Sequence, residues 1–245
     1  RAQARLEKAF FTEGESATIP DLDLAMVPIA TGTFAMGSEN GSGNEKPVTQ
    51  VRLTKPYWLG ATEVTQRQWS AVMGNNPSNF KGESLPMENV SWEQAMTFCR
   101  KLTERERAAG RLPAGYGYTL PSEAQWEYAC RAGTTGDYAG ELNAMAWYGS
   151  NSGNTTHAVG TKQANGWGLY DMHGNVWEWC ADWYGDYAGG SVTEPRGPTS
   201  GTNRVSRGGG WINDASYCRS ARRDGLEPGG RYGSLGFRLA LSSVP

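Results

Sequence analysis

The sequence predicts an α+β domain with few regular elements: short helices in its first half, then short strands and long loops. Three segments begin with a capping box, in which a hydroxyl residue and a glutamine three positions later satisfy the free backbone amides of a helix N-terminus. Beyond about residue 133 such signals stop, and glycine, asparagine and serine recur at short intervals. The 245-residue chain contains 33 glycines and 10 tryptophans. We therefore expect many turns, with large aromatic side chains supplying the apolar area of a loop-rich core.

The N-terminal part is predicted to hold a leading segment followed by strands. Residues 1–20 have the composition of a short amphipathic helix or tail, which we place outside a main domain at 21–245. From Met26, "MVPIATGTFAMGS" alternates apolar and small residues, which indicates a strand, a turn at Thr31-Gly32 and a second strand. After a polar loop at 39–47, "VTQVRLTKPYWLG" returns to strand alternation.

The three predicted helices follow in order. Their capping boxes are Thr65–Gln68, Ser91–Gln94 and Ser122–Gln125. The second helical segment, "SWEQAMTFCRKLTERERAAG", carries charged residues near its end and stops at Gly110, which is typical of a helix C-terminus.

Composition excludes several function classes. The net charge of −2 gives no sign of a nucleic-acid partner, and no apolar run reaches the roughly 18 residues of a membrane span. The four cysteines form no CxxC pair, so a structural zinc site is not expected. We expect burial as structural residues for Cys99, Cys130, Cys180 and Cys218, while a disulfide stays open for an exported protein. The sequence leaves the compartment undetermined.

Several sequence blocks together resemble one known family. In order, these are "MVPIATGTFAMGS", "EVTQRQW", "MENVSWEQAMTFCRKL", "LPSEAQWEYACRAG", "NGWGLYDMHGNVWEWCADWY", "RVSRGGGW", "CRSARR" and "LGFRLA". They are similar to the formylglycine-generating enzyme (sulfatase-modifying factor) superfamily, whose fold is related to that of C-type lectins. The resemblance covers residues 24–241 and implies that fold. It leaves function open, because the superfamily contains copper-dependent oxidases, non-catalytic paralogues and variable ligand-binding proteins.

The resemblance implies a criterion for catalysis. In the family's oxidases, two cysteines five residues apart follow a Gly-Gly-Ser-Trp block and bind Cu(I), a soft ion that favours thiolate ligands. The second cysteine matches Cys218, but the first matches Asn213, and the serine of the block matches Gly210. Because an amide oxygen is a weak ligand for Cu(I), we expect no copper cofactor and no oxidase activity, with Cys218 serving as framework.

The resemblance also implies a structural calcium site within "LYDMHGNVWEW". In the family, a side-chain oxygen, two backbone carbonyls and a glutamate hold the ion. These match Asp171, the carbonyls of Gly174 and Val176, and Glu178. Hard oxygen ligands from a tight turn suit calcium. The alternative is that Asp171 and Glu178 cap backbone amides without metal, and we expect His173 to be a turn-exposed side chain rather than a ligand.

The segment 204–238 mixes framework-like residues with others that share no hydrophobic period. The interspersed residues all belong to the set that adenine-directed mutagenesis of asparagine codons can reach, as in retroelement-diversified variable proteins that the segment resembles. Tyrosines with small polar residues are also the mixture that antibody paratopes use. The predicted ligand-binding residues are Ile212, Asn213, Asp214, Ser216, Tyr217, Arg222, Asp224, Gly225, Leu226, Gly230, Tyr232 and Ser234.

Within that segment, individual side chains have expected roles. Tyr217 and Tyr232 are expected to be exposed binding anchors, whereas Trp211 and Phe237 are expected in the core. The arginines of the segment match framework positions, where we expect them to hydrogen-bond loop carbonyls.

The leading hypothesis is a non-catalytic protein that presents residues 212–234 to a protein or cell-surface ligand. The alternative is an enzyme of the family, either a copper-dependent oxidase with altered ligation or a diverged oxidoreductase.

Overall fold

The computed structural model describes residue 12 and residues 14–243. The α-helices are α1 (Gln66–Met73), α2 (Trp92–Ala108), α3 (Glu123–Arg131) and α4 (Leu142–Met145). The strands are β1 (Ala17–Ile19), β2 (Leu24–Ile29), β3 (Gly32–Met36), β4 (Thr49–Leu53), β5 (Tyr57–Gly60), β6 (Tyr116–Thr119), β7 (Trp177–Trp183), β8 (Gly190–Thr193), β9 (Arg204–Arg207), β10 (Arg223–Leu226), β11 (Leu235–Gly236) and β12 (Ala240–Ser243). Short elements joined by long loops confirm the loop-rich α+β class.

The three predicted helix starts are confirmed. At the start of α1, the Thr65 hydroxyl accepts a hydrogen bond from the Gln68 amide at 3.2 Å, and the reciprocal bond completes the capping box. The same reciprocal pairs open α2 and α3 at Ser91 and Ser122. Each box satisfies two backbone donors that the helix itself cannot. Helix α2 ends just before Gly110, whose φ of +73° lies in the left-handed region that glycine adopts without strain.

The strands pair into sheets that bring distant parts of the chain together. A five-stranded sheet has the order β1-β2-β5-β12-β6, so the C-terminal strand lies between two strands from the first half of the sequence. A four-stranded sheet has the order β10-β9-β7-β11, and β3, β4 and β8 form a third sheet. In the second sheet, antiparallel β9 and β10 place Arg207 beside Arg223. This sheet carries both ends of the segment that the sequence singles out for binding.

The domain begins earlier than predicted. β1 pairs with β2, and Ile19 is fully buried in the core. Residues 17–19 are therefore part of the first sheet rather than a tail outside the domain, because three residues of strand suffice to bury one large side chain at a sheet edge. Within the expected helix or tail, residues 1–11 and 13 lie outside the described residues.

Aromatic side chains fill the core. Trp69 of α1 stacks on Phe98 of α2 at 5.5 Å between ring centroids, and Phe237 meets both rings edge-on. A second cluster surrounds Trp126 and includes Cys130 and Cys180. The four cysteines are buried and unbonded, as expected for structural residues, and no disulfide links them. In the stretches of chain that the structure describes, no helix is both long and apolar enough to span a bilayer.

Candidate functional site

The segment between β9 and β11 rests on buried arginines. The Arg223 guanidinium bonds both carboxylate oxygens of Glu123 at 2.7 Å. Arg207 is fully buried, forms ion pairs with Glu123 and Glu127, and donates to the carbonyls of Ser220 and Arg222 at 2.8 and 2.7 Å. The framework role expected for these arginines is confirmed, because their donors are used inside the protein and are not available to a ligand.

The residues between these anchors stay at the surface. None of the twelve predicted binding residues is buried, whereas the neighbouring Gly209, Cys218 and Phe237 are. Ile212 is 58% exposed and Tyr232 is 51% exposed, and they are the two exposed large hydrophobic side chains found in the described part of the chain. Isolated exposed apolar residues are ordinary, but two in one short segment give it accessible apolar area. We call residues 212–234 the C-terminal face.

Two side chains of the C-terminal face are less accessible than the sequence predicted. Tyr217 and Leu226 are half-buried and pack against the main core cluster. The Tyr217 ring meets Trp177 edge-on at 6.5 Å between ring centroids, and the Arg222 guanidinium lies 4.6 Å from the Tyr217 ring centroid. The expectation that Tyr217 is an exposed anchor is therefore wrong, since its ring is half-buried and contacts both Trp177 and Arg222.

Two further positions are committed to the framework. The Asn213 amide oxygen accepts hydrogen bonds from the Trp177 indole at 2.9 Å and the Gly210 backbone amide at 3.1 Å. At Gly225, an added Cβ would lie 2.8 Å from the Tyr184 ring, so only glycine fits without movement. Asn213 and Gly225 therefore contribute to the shape of the C-terminal face rather than to contacts with a ligand.

Trp211 lies at the border between core and surface rather than in the core. It is half-buried, its indole N–H donates to the Gly233 carbonyl at 2.9 Å, and its ring meets Phe80 edge-on at 5.4 Å. Phe237, by contrast, is fully buried as expected. The Trp211 side chain thus links the two ends of the C-terminal face by a hydrogen bond.

A loop that the sequence analysis did not single out borders this face. The Gly149 amide donates to the Asn213 carbonyl at 2.8 Å, and the Ser152 hydroxyl donates to the Trp211 carbonyl at 2.7 Å. Within the loop, His157 stacks on Trp147 with ring centroids 3.7 Å apart. No local pattern could have revealed this neighbour, because it lies about sixty residues earlier in the chain.

Cys218 and Asn213 occupy the two positions that match the family's copper cysteines. Cys218 is fully buried, and burial raises the pKa of its thiol to about 12. The position that matches the family's other copper cysteine holds Asn213, whose amide oxygen already accepts the hydrogen bonds of Trp177 and Gly210. The pKa of Cys218 rises because a buried site disfavours the charged thiolate. This arrangement supports the framework reading of Cys218.

The residues of the expected calcium site fit a cation only in part. Asp171 accepts from the Gly160 amide at 2.7 Å through one oxygen, while its other oxygen is buried without a hydrogen-bond partner in the described structure. Both oxygens of Glu178 bond Arg238 at 2.7 Å. Across residues 12 and 14–243, no group of three or more acidic, histidine or cysteine side chains is placed to hold a metal. The Glu178 carboxylate therefore has a protein cation as its partner, and calcium binding stays a prediction.

Near that turn, His173 differs from expectation, and Glu63 is a buried acid that the sequence analysis did not single out. His173 is buried rather than turn-exposed: its Nδ1 lies 2.7 Å from the Cys218 carbonyl and its Nε2 accepts from the Ala139 amide at 3.2 Å. Burial lowers the pKa of His173 to about 4, so it is neutral near pH 7. Glu63 accepts from the Val176 amide at 3.1 Å, and burial together with the Asp171 charge raises its pKa. His173 therefore holds two loops together, which the sequence pattern of the turn did not indicate.

Comparisons with known proteins agree with this fold. Residues 14–243 match the family model of the sulfatase-modifying factor enzyme 1-like domain. The structure of Treponema denticola variable protein 1 is 37% identical, with a TM-score of 0.85 over 94% of this chain and 99% of that one. PvdO from Pseudomonas aeruginosa is 25% identical, with a TM-score of 0.82 over 95% and 99% of the two chains.

Sequence relatives include proteins with different names. The chaperone protein LppX of Paenibacillus barcinonensis is 30% identical over 94% of this chain and 92% of its own length. The mouse formylglycine-generating enzyme is 32% identical over 81% of this chain but only 54% of its own length. Fold, sequence blocks and family model coincide over nearly the whole chain, and the chain belongs to the sulfatase-modifying factor (formylglycine-generating enzyme) family.

Proposed function

We propose that this chain is a non-catalytic ligand-binding protein that presents the C-terminal face to a protein or cell-surface ligand. The observation that carries the proposal is the alternation along residues 207–238. Framework positions are mostly buried, and arginines among them pair with the buried carboxylates Glu123 and Glu178, while the interspersed positions remain accessible and include Ile212 and Tyr232. A rigid base with accessible apolar and small polar side chains is the physical requirement for a binding surface that can vary without unfolding.

The state of the thiols supports the non-catalytic part of the proposal. An oxidase of this family needs two thiolates, and at the two matching positions this chain has one deeply buried thiol, Cys218, and the Asn213 amide, which is already hydrogen-bonded. Likeness to a protein named as variable, at 37% identity over 94% of the chain, supports the proposal that the face is diversified by a retroelement.

A display experiment tests the binding role. One library randomises Ile212, Asp214, Ser216 and Tyr232, which are all exposed. The matched library randomises four exposed positions of α2, namely Glu93, Arg100, Glu104 and Arg107. We expect both libraries to display folded protein and the first alone to yield clones that bind a model protein such as lysozyme. Loss of folded display in the first library, or equal yields of binders from both, would contradict the proposal.

The gene's surroundings test the diversification. A near-copy of the 3′ end that differs at adenines, next to a reverse transcriptase gene, is the expected arrangement. A sulfatase gene in that place, with no such copy, would favour the oxidase.

Two observations favour the alternative, a copper-dependent oxidase. The chain has Cys218 at the position of one copper cysteine, and it is 32% identical to the mouse enzyme. We expect no tight Cu(I) binding and no oxidation of a cysteine peptide that carries the sulfatase motif. Asn213→Cys is the matched gain-of-ligand variant. Stoichiometric Cu(I) binding by the wild type that disappears in Cys218→Ala would establish the alternative instead.

A further inference from the structure

A cavity of about 560 Å³ is lined by Arg223 but by none of the exposed side chains of the C-terminal face. It opens between the loop that follows β7 and the third sheet. Its walls are largely apolar and include Met36, Val51, Ala124, Val192 and Pro198. The volume lies within the range of natural small-molecule pockets, roughly 300–1,000 Å³. We call it the Asp182 cavity, after the carboxylate in its lining.

Asp182 differs from most other buried acids in the chain. It is only 5% exposed, and the one hydrogen bond that the described residues give its carboxylate runs from the Glu123 amide to Oδ2 at 2.9 Å. No described cation lies within ion-pair distance of it. The buried carboxylates that do pair with arginine are Glu45, Glu106, Glu123, Glu127 and Glu178. A buried carboxylate is costly without a compensating partner, so Asp182 is the group in this cavity that a ligand would stabilise.

Two of the remaining polar side chains of the cavity, Arg223 and Tyr187, are already hydrogen-bonded inside the protein. Arg223 donates to both oxygens of Glu123 and to the carbonyls of Asn44 and Gly185 at 3.1 and 2.8 Å. The Tyr187 hydroxyl donates to Glu123 at 3.2 Å. An anionic ligand would therefore find no free donor on these two side chains and would meet the charges of Asp182 and Glu123, although the exposed Arg196 also lines the cavity. The second oxygen of Asp182 remains as the acceptor that a ligand can use.

We propose that the Asp182 cavity binds a small organic amine whose ammonium group pairs with Asp182 while its apolar body fills the cavity. The three donors of an ammonium group match a carboxylate that has one internal hydrogen bond. Burial and the nearby charge of Glu123 raise the pKa of Asp182 to about 7, and these effects outweigh the opposing charges of Arg196 and Arg223, neither of which forms an ion pair with it. Exclusion of water from apolar walls strengthens the ion pair relative to one at the surface.

Direct binding to purified full-length protein tests the proposal. The probes are 2-phenylethylamine and tryptamine, with 2-phenylethanol and 3-phenylpropionate as neutral and anionic analogues of similar size. We expect millimolar or tighter binding of the amines by calorimetry, at least about tenfold weaker binding of the alcohol, and none of the acid. No amine binding at millimolar concentration, or equal binding of amine and alcohol, would overturn the proposal.

Variants locate the site. Asp182→Asn keeps an acceptor for the Glu123 amide and should weaken amine binding at least about tenfold. Asp214→Asn, on the C-terminal face, is the matched control and should leave binding unchanged. Val192→Trp narrows the cavity from its apolar wall and should also abolish binding. If Asp182→Asn is folded by circular dichroism and binds the amines as tightly as the wild type, the carboxylate has no role and the proposal fails.

Discussion

Truncation of Phe237 to alanine should destabilise the protein strongly. The Phe237 ring is fully buried and meets Phe98 at 5.5 Å and Trp69 at 5.9 Å, both edge-on. Removing such a ring costs the transfer free energy of its atoms and the energy of the cavity it leaves, about 3–5 kcal/mol in total. For a domain of this size, 1 kcal/mol corresponds to roughly 2–4 °C in Tm, so Phe237→Ala should lower Tm by roughly 6–20 °C.

The same change at Tyr232 should be nearly neutral. Its side chain is half exposed, and the hydrogen bonds that fix the position come from its backbone: its carbonyl accepts from the amides of Asn89 at 2.9 Å and Leu235 at 3.1 Å. Because Tyr232→Ala keeps those bonds, the expected change in the free energy of unfolding is about 0.5 kcal/mol or less. Tyr217→Ala should fall between the two, at about 1–3 kcal/mol, because its ring packs on Trp177.

Urea denaturation and calorimetry at fixed pH and fixed calcium concentration measure all three variants. The order Phe237, Tyr217, Tyr232 is the expected result. If Tyr232→Ala lowers the free energy of unfolding as much as Phe237→Ala, its side chain packs in solution and the accessible C-terminal face does not exist as described.

Three further predictions concern buried carboxylates. Calcium should stabilise the fold by about 2.7 kcal/mol when its concentration is one hundred times its Kd. A chelator should therefore lower Tm, and Asp171→Ala should remove that effect. An unchanged melting curve in excess chelator would contradict calcium binding. Arg238→Met leaves Glu178 as an unpaired buried charge and should cost about 3–5 kcal/mol in urea denaturation, with part of the loss recovered when Glu178→Gln is added. Burial raises the pKa of Glu88 to about 7, so its folded carboxylate is unfavourable above pH 7 and the cost disappears as the pH falls toward 4.5. Glu88→Gln should therefore stabilise the protein by about 1–3 kcal/mol at pH 8 and have little effect at pH 5, and an equal effect at both pH values would show that Glu88 does not titrate there.

The sequence alone determined the features that depend on neighbours in the chain. The capping boxes at Thr65, Ser91 and Ser122 involve residues three positions apart, so their hydrogen bonds form wherever the helix does. The ordered sequence blocks indicated the family, and the substitutions at Asn213 and Gly210 could be read position by position.

Only the tertiary structure decided which side chains are accessible. Tyr217 and Tyr232 have the same chemistry and lie in the same polar segment, yet one packs on Trp177 and the other faces solvent. The turn containing His173 resembled an exposed loop, but two distant loops cover it and bond both ring nitrogens. Burial depends on what other segments place over a residue, and those segments lie tens of residues away.

The partners of buried charges also required the fold. Arg207 bonds Glu127 from 80 positions away, and Arg238 bonds Glu178 from 60. The sequence showed arginines at framework positions but could not match each one to a carboxylate, since pairing over such separations is fixed by sheet order and not by spacing. For the same reason, the absence of an ion-pair partner for Asp182 among the described residues can be seen only in the folded structure, because the sequence does not show which arginines pair with other carboxylates.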